Sequence, residues 1–246
     1  MSAHEDQPLR IFFIEMLGEP GTYDASVYDT LPDGDLEGVW FQKRYAYLDD
    51  VGIEVRSLPR GECLPDADQA DGYVLGGSYN SVHDDYPWQR AVLSWLPSVR
   101  EQRAPLLAIC GAHQLLGTHY GAPVIAVDNA PCAGTLAVTL TDAGVQSPLL
   151  EAIAADTRFH FGNGEQIATV PDSATLLASS ERVPVAALDY GGHWYSTQFH
   201  PEASAESLGI SWATSAPEIC DAYDDHDAGD RLIENFFRIV RRARQD

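Results

Sequence analysis

Short apolar runs alternate with segments of helical spacing through the first half of the chain. "LRIFFIEM" (9–16) is a compact apolar run and predicts a buried strand. Residues 37–52, "EGVWFQKRYAYLDDVG", carry helical spacing and predict a helix closed by Gly52. "IEVRSL" (53–58) and "DGYVLGG" (71–77) predict a second and a third strand, the latter stopping at paired glycines. "YPWQRAVLSWLPSVREQ" (86–102) predicts a helix with Pro87 in its first turn and a break or kink at Pro97. "APLLAIC" (104–110) predicts a fourth strand and "GAHQLLGTHYG" (111–121) a helix. Repeated β-α-β order implies an α/β fold, a parallel sheet with helices on both faces.

The second half is richer in strands. Residues 122–127, 134–141, 174–180, 184–190 and 193–199 are candidates, and the glycines at 191 and 192 fit a hairpin turn between the last two. The tail "DRLIENFFRIVRRAR" (230–244) places Leu232, Ile233, Phe236, Phe237 and Val240 on one helical face. Its arginines fit a helix C-terminus, where cations complement the dipole, or an anion site. The acidic stretch 219–230 reads as a solvated loop. The whole, residues 1–246, is expected to be one unit with a core over about 9–202 and a helical extension over 203–246.

Charge changes the picture more than overall composition does. There are 37 Asp plus Glu against 15 Lys plus Arg, a net charge of −22, and Lys43 is the only lysine. The acids are spread along the chain rather than blocked. Such a surface suits a salt-rich cytoplasm, where screening weakens self-repulsion. It disfavours nucleic acid, which wants a basic footprint. No apolar run reaches the roughly 18 residues of a membrane span. The N-terminal "MSAHEDQPLR" is too polar for a secretory signal, so a cytoplasmic location is expected. Cys63, Cys110, Cys132 and Cys220 form no C-x-x-C pair, which leaves zinc and dithiol chemistry without support. Cys63, Cys132 and Cys220 read as small buried hydrophobes.

Cys110 is different. It stands where a strand turns into a helix, the place in α/β folds where ligands gather. The positive end of the following helix favours a thiolate there, and the N–H of Gly111 lacks a helical acceptor. That pairing of a nucleophile and a free amide is a nucleophile elbow with sulfur in place of oxygen. A base is available in "STQFHPE" (196–202). His200 and Glu202 stand two apart, on one side of an extended chain, so the carboxylate can orient the imidazole. In "VLGGSYNSVHDDYPW" (74–88), Gly76 and Gly77 make either a plain strand-to-helix turn or a second backbone donor, and no phosphate-loop pattern is present.

"AICGAHQ" (108–114), "GGSYNSV" (76–82) and "QFHPE" (198–202) together resemble the three signatures of the class I glutamine amidotransferases, in that family's order. The likeness covers about residues 9–202 and is greatest to stand-alone domains similar to the amidotransferase part of GMP synthase. The resemblance implies a doubly wound, mostly parallel, flavodoxin-like sheet with additional antiparallel strands. It implies Cys110 as nucleophile, His200 as general base and acid, and Glu202 as its orienting partner. Gly77 and Gly111 would supply the oxyanion-hole amides, while Gly76, Ser78 and Gln114 would help hold the substrate. The chemistry asks for no cofactor and no metal.

There are departures from the family pattern. Ala108 and Ala112 stand where glycines are usual, Gly111 replaces a bulkier residue, Asn163 sits about where relatives often carry histidine, and the "GGSYNSV" loop is one residue longer. His113 reads as helix surface or packing. Three functions follow from the resemblance: a glutaminase feeding ammonia to a separate synthetase chain, a γ-glutamyl peptide hydrolase with the same triad, and a binding homologue with a disabled site.

Overall fold

The computed structural model of the chain describes residues 7–225 and 228–245. The N-terminal residues read above as too polar for a signal, and His226 and Asp227 within the acidic 219–230 stretch, lie outside the described residues.

Twelve strands and six α-helices follow one another among the described residues. The first half runs β1 (Leu9–Glu15), α1 (Glu37–Arg44), β2 (Val51–Ser57), β3 (Gly72–Leu75), α2 (Pro87–Glu101), β4 (Leu106–Ile109) and α3 (Gly111–His119). The second half runs β5 (Val124–Ala126), β6 (Cys132–Ala137), β7 (Thr139–Leu140), α4 (Asp142–Gln146), β8 (Arg158–Asn163), β9 (Glu165–Ile167), β10 (Thr175–Ser179), β11 (Ala187–Asp189), β12 (Trp194–Thr197), α5 (Ala205–Ile210) and α6 (Gly229–Ala243). Eight strands form the central sheet in the order β2-β1-β3-β4-β12-β11-β10-β7. The first five pair in parallel and the last three are antiparallel. Two small ribbons, β5 with β9 and β6 with β8, stand beside it.

The continuous apolar runs of β1, β3 and β4 are explained by burial on both faces. Ile11, Phe13, Val74, Leu107 and Ile109 point to one side, where Phe41 of α1 and Leu232, Phe236 and Phe237 of α6 cover them. Phe12, Ile14, Tyr73, Leu75, Leu106 and Ala108 point to the other, against Trp88, Val92 and Leu96 of α2 and Leu115 of α3. The chain turns back between β1, whose helix α1 leads outward to β2, and β3, which leads the other way to β4. Ligands in open α/β sheets gather at the strand ends near such a switch point.

Several expected elements differ in extent. The helix read over 37–52 stops at Arg44, and Gly52 lies inside β2, because Val51, Ile53 and Val55 already follow the two-residue period of a strand. The helix α2 runs unbroken through Pro97. Pro97 sits on the exposed face, so the carbonyl deprived of its amide partner is within reach of water. The single strand read over 134–141 is two, since the buried Val138 marks the point where the chain leaves the ribbon with β8 and joins the central sheet beside β10. Cys132 is buried as expected, but Cys63 is exposed and Cys220 half-buried. The acidic 219–230 stretch is not simply solvated: a 3-10 turn over Pro217–Ala222 packs on β6, and Tyr223 donates to the carbonyl of Phe161 at 2.6 Å. The arginines of α6 pair with acids, Arg238 with Glu151, Arg241 with Asp50 and Arg244 with Asp71. The GG hairpin joins β11 and β12, both glycines having positive φ. Among the described residues no helix is long and apolar enough to cross a membrane.

Because α6 closes one face of the sheet, Phe236→Ala should cost ~3–5 kcal/mol in a denaturant titration at constant salt. Arg231→Ala on the exposed side of the same helix should stay within about 0.5 kcal/mol.

Candidate active site

Three adjacent strands, β3, β4 and β12, end at the same edge of the sheet and bring the loop after β3, Cys110 and His200 together. Cys110 follows β4 directly with φ +49° and ψ −104°. An L-residue holds such a backbone only where its surroundings over-determine it, at about 1–3 kcal/mol. Here the Cys110 N–H donates to the Thr197 carbonyl at 2.8 Å, and its own carbonyl accepts from Gln114 N–H at 3.0 Å. The elbow is thus pinned to β12 behind and to α3 ahead. Ala108 and Ala112 are both buried, on the core side of this turn.

The imidazole of His200 lies next to the thiol. A Cβ placed on Gly77 would stand 2.9 Å from His200 Cε1 and 3.6 Å from Cys110 Cβ, so the absence of a side chain there lets ring and sulfur meet. Glu202 Oε1 bonds His200 Nδ1 at 2.7 Å, with both side chains buried. Burial works against a charged ring, but the Cys110 sulfur and the Glu202 carboxylate outweigh it and hold the imidazole well above its ordinary value. The tie between Nε2 and the sulfur is electrostatic rather than a well-aligned hydrogen bond. The sulfur also accepts the Gln198 side-chain amide at 3.4 Å.

The remaining predicted residues are dispersed around this centre. Gly111 packs on the loop after β3: a Cβ there would lie 2.7 Å from Ser78 Cβ and 2.8 Å from Ser78 N. A bulkier residue at 111 would drive that loop away. Gly77 N–H donates to Glu37 Oε1 at 3.3 Å. Gly76 N–H is engaged with the carbonyl of Ile14 in the sheet edge, away from any ligand. Ser78 and Gln114 line the cavity above the thiol. The Gln114 amide is held by the Glu165 carbonyl at 2.7 Å and by Gln198 Oε1 at 3.1 Å. Asn163 donates to the same Glu165 carbonyl, and its Oδ1 is buried without a partner among the described residues. His113 is wholly buried, bonded to Ser196 Oγ at 2.7 Å and pushed down to about 3 by burial, so of surface and packing it takes the packing place.

The cavity encloses about 820 Å³. Its floor holds Cys110, His200, Gln114 and Asn163, and its outer wall is apolar, with Tyr28, Leu31, Trp40, Leu208 and Trp212. That wall comes from two irregular segments, 17–36 and 203–225, which meet over the site. Thr214 Oγ1 donates to Asp24 Oδ2 at 2.8 Å, and Tyr79 links Tyr28 at 2.6 Å to the Ser211 carbonyl at 3.3 Å. Sequence reasoning gave Gln198 no role although it stands in "QFHPE", and passed over Glu37 and the aromatic wall. Gln198 could have been suspected from its place two residues before the histidine. The wall residues carry no signal of their own, because they come from segments without periodicity. Among the described residues no group of three or more His, Cys, Asp or Glu is placed to hold a metal ion.

A nucleophile elbow beside a carboxylate-oriented imidazole, on this sheet order, defines a class of protein, and comparison agrees with it. Residues 42–215 match the model of the class-I glutamine amidotransferases, and the chain belongs to that family. It is similar to gamma-glutamyl peptidase 5 of Arabidopsis thaliana, 31% identical over 151 residues that make up 58% of each chain. That match spans less than two thirds of the peptidase. It is also similar to the glutamine-hydrolysing subunit of the GMP synthase of Thermoplasma volcanium, 26% identical over 203 residues, 82% of this chain and 94% of that one. Among solved structures, a glutamine amidotransferase from Thermotoga maritima shares the fold with a TM-score of 0.73 at 17% identity, over 95% of this chain and 98% of that one.

Glu37 leads to a test of the site's electrostatics. Burial, and then the charges of Glu202 and Glu15, push its carboxyl well above the usual carboxylate range. An acid raised in the folded state is neutral there and ionised in the unfolded chain, so stability is full below the unfolded pKa and falls as pH rises above it. Glu37→Gln removes that penalty. The variant should melt above wild type at pH 8, with the gap closing toward pH 4; a gain of ~1 kcal/mol corresponds to about 2–4 °C in a chain of this size. Equal melting curves at both pH values would mean the carboxyl is ionised in the fold.

Proposed function

We propose that this chain is a glutaminase of the amidotransferase kind, acting in a salt-rich cytoplasm and passing ammonia to a separate synthetase chain. The observation that carries the reading is the bonded His200–Glu202 pair set against Cys110 on its elbow. The Cys110 thiolate attacks the carboxamide carbon of glutamine, forming the S–C bond as the C=O pair moves onto oxygen. The Gly111 N–H and a second amide from the loop after β3 receive that oxyanion. His200, charged at this stage, gives its proton to the nitrogen, and the C–N bond breaks to release ammonia and leave a thioester. Water then attacks the thioester carbonyl, losing its proton to the now neutral His200, and glutamate leaves as the sulfur returns to thiolate. Glu202 holds the ring through both halves. Gln114 and Ser78 line the space that the amino-acid end of the substrate would fill.

One observation favours a second reading. Glutamine has only ten non-hydrogen atoms, and a cavity of about 820 Å³ with an apolar outer wall has room for a larger amine on the γ-carbonyl. The same chemistry on a γ-glutamyl amide, with no use made of the released amine, is the peptidase alternative, and the resemblance to a plant gamma-glutamyl peptidase supports it.

In molar salt the purified chain should release glutamate from glutamine, and Cys110→Ala should bring the rate to background, a loss on the order of 10⁴-fold or more. Glutamate release that survives Cys110→Ala sinks both readings. Turnover of γ-glutamyl dipeptides equal to that of glutamine, with no partner present, selects the peptidase.

A further inference from the structure

Glu37 opens helix α1, yet its side chain turns inward, away from solvent, and lines the floor of the cavity. One oxygen takes the Gly77 N–H; the other, Oε2, has no partner among the described residues, and the same is true of Oε2 of Glu202. The loop after β3 is shaped around this carboxyl, since a Cβ on Gly76 would lie 2.6 Å from Glu37 Oε2. The group is neither a helix cap nor half of a surface ion pair, and the hydrolytic steps written above make no use of it.

Its effect is visible in the amides of the loop. Gly76 N–H goes to the Ile14 carbonyl, Gly77 to Glu37, Tyr79 to the Leu17 carbonyl, Asn80 to Ser78 Oγ and Ser81 to Asp84 Oδ2. Ser78 N–H is left without an acceptor among the described residues. Its nitrogen is 2.8 Å from the point where a Cβ on Gly111 would stand, and Gly111 N–H, the first of α3, has no helical acceptor. Two free amides thus adjoin each other where the elbow meets the loop.

We infer that Glu37 is a positioning residue of the hydrolytic site: by holding the Gly77 N–H it sets the loop so that Ser78 N–H and Gly111 N–H receive the oxyanion together. This rests on the proposed cysteine chemistry and moves one donor from Gly77 to Ser78. The extra residue of "GGSYNSV" is the sequence counterpart of that one-residue displacement.

The test uses Glu37→Ala and Glu37→Gln in the full chain, with three readouts: turnover of glutamine and a γ-glutamyl amide, reversible binding of glutamate γ-semialdehyde, and alkylation of Cys110 by iodoacetamide across pH. The aldehyde reports on the oxyanion site, because addition of the sulfur puts its C=O pair onto oxygen. The alkylation reports on the thiol and imidazole alone. Glu37→Ala should lower kcat and aldehyde affinity by on the order of tenfold or more, with KM moving less than about threefold. Its alkylation rate and pH profile should stay within about twofold of wild type, since the sulfur and ring are untouched. Glu37→Gln, whose amide oxygen still accepts from Gly77, should restore kcat to within about threefold of wild type. Unchanged kcat and aldehyde affinity in Glu37→Ala, no rescue by Gln, or alkylation that falls in step with kcat would each overturn the inference while leaving the cysteine chemistry standing. A wild type inert to both substrates and to the aldehyde refutes the cysteine chemistry itself, and this inference with it.

Discussion

An imidazole held between a sulfur and a carboxylate, out of water, is the interaction on which the rest of the site depends. In that setting charge is expensive, and the fold assembles several acidic groups there. Glu15 closes β1, Glu37 opens α1 and Glu202 follows β12, all at one edge of the sheet. Glu15 is supported by the Gly38 N–H at 2.8 Å and by Ser57 Oγ at 2.6 Å, with Arg60 at 3.7 Å. Glu202 is supported by His200. Glu37 has only one long bond from a backbone amide, and of the three it is the one pushed well above the carboxylate range. The protonation pattern thus follows from how many donors each carboxyl has, and it leaves His200 with one carboxylate and one sulfur to balance rather than two carboxylates.

The departures from the family pattern fit together once that edge is seen whole. A longer loop after β3 has to find room, and it finds it over residue 111, where Ser78 comes so close that only glycine fits. The bulk normally carried at 111 is thereby exchanged for an extra residue in the loop. At the flanking positions, Ala108 and Ala112 are buried on the sheet's far face and take part in its core, with Trp88 and Leu115 in the same cluster. The elbow's unusual backbone is secured by hydrogen bonds to Thr197 and Gln114, which do not depend on the side chains at 108 and 112.

Much of this was legible in the chain itself. The strands that carry the site are buried on both faces, so they appear as unbroken apolar runs, and turns marked by Cys110–Gly111 and by Gly76–Gly77 end two of them. The wrong boundaries lie where no such contrast exists. Tyr45, Ala46, Tyr47 and Leu48 continue the apolar spacing of α1 into a turn, and Val138 is as apolar as its neighbours although the chain changes sheets there. The strands β8 and β9 escape the pattern because Gly162 and Gly164 interrupt them in the sequence, whereas in three dimensions they are paired by β6 and β5. Glu37 was invisible for a different reason: an acid at the first position of a helix is ordinarily a solvent-facing complement to its dipole. Only the tertiary fold, which turns that end of α1 beneath the loop, makes it part of the site.

The division between strand ends and irregular segments has a consequence for what can vary. The reacting groups sit on β3, β4 and β12, which share a core and a set of backbone bonds, so their spacing cannot drift without disturbing the sheet. The outer wall belongs to segments 17–36 and 203–225, tied to each other by a handful of side-chain bonds such as Thr214–Asp24 and the Tyr28–Tyr79 pair. Changes in Leu31, Leu208 or Trp212 alter the shape of the cavity without touching the elbow. Such an arrangement lets one cysteine site serve leaving groups of different bulk, because the walls that meet the leaving group are built from a part of the chain that the sheet does not constrain. The chemistry of the γ-carbonyl and the choice of amine are in this way separate properties of one fold.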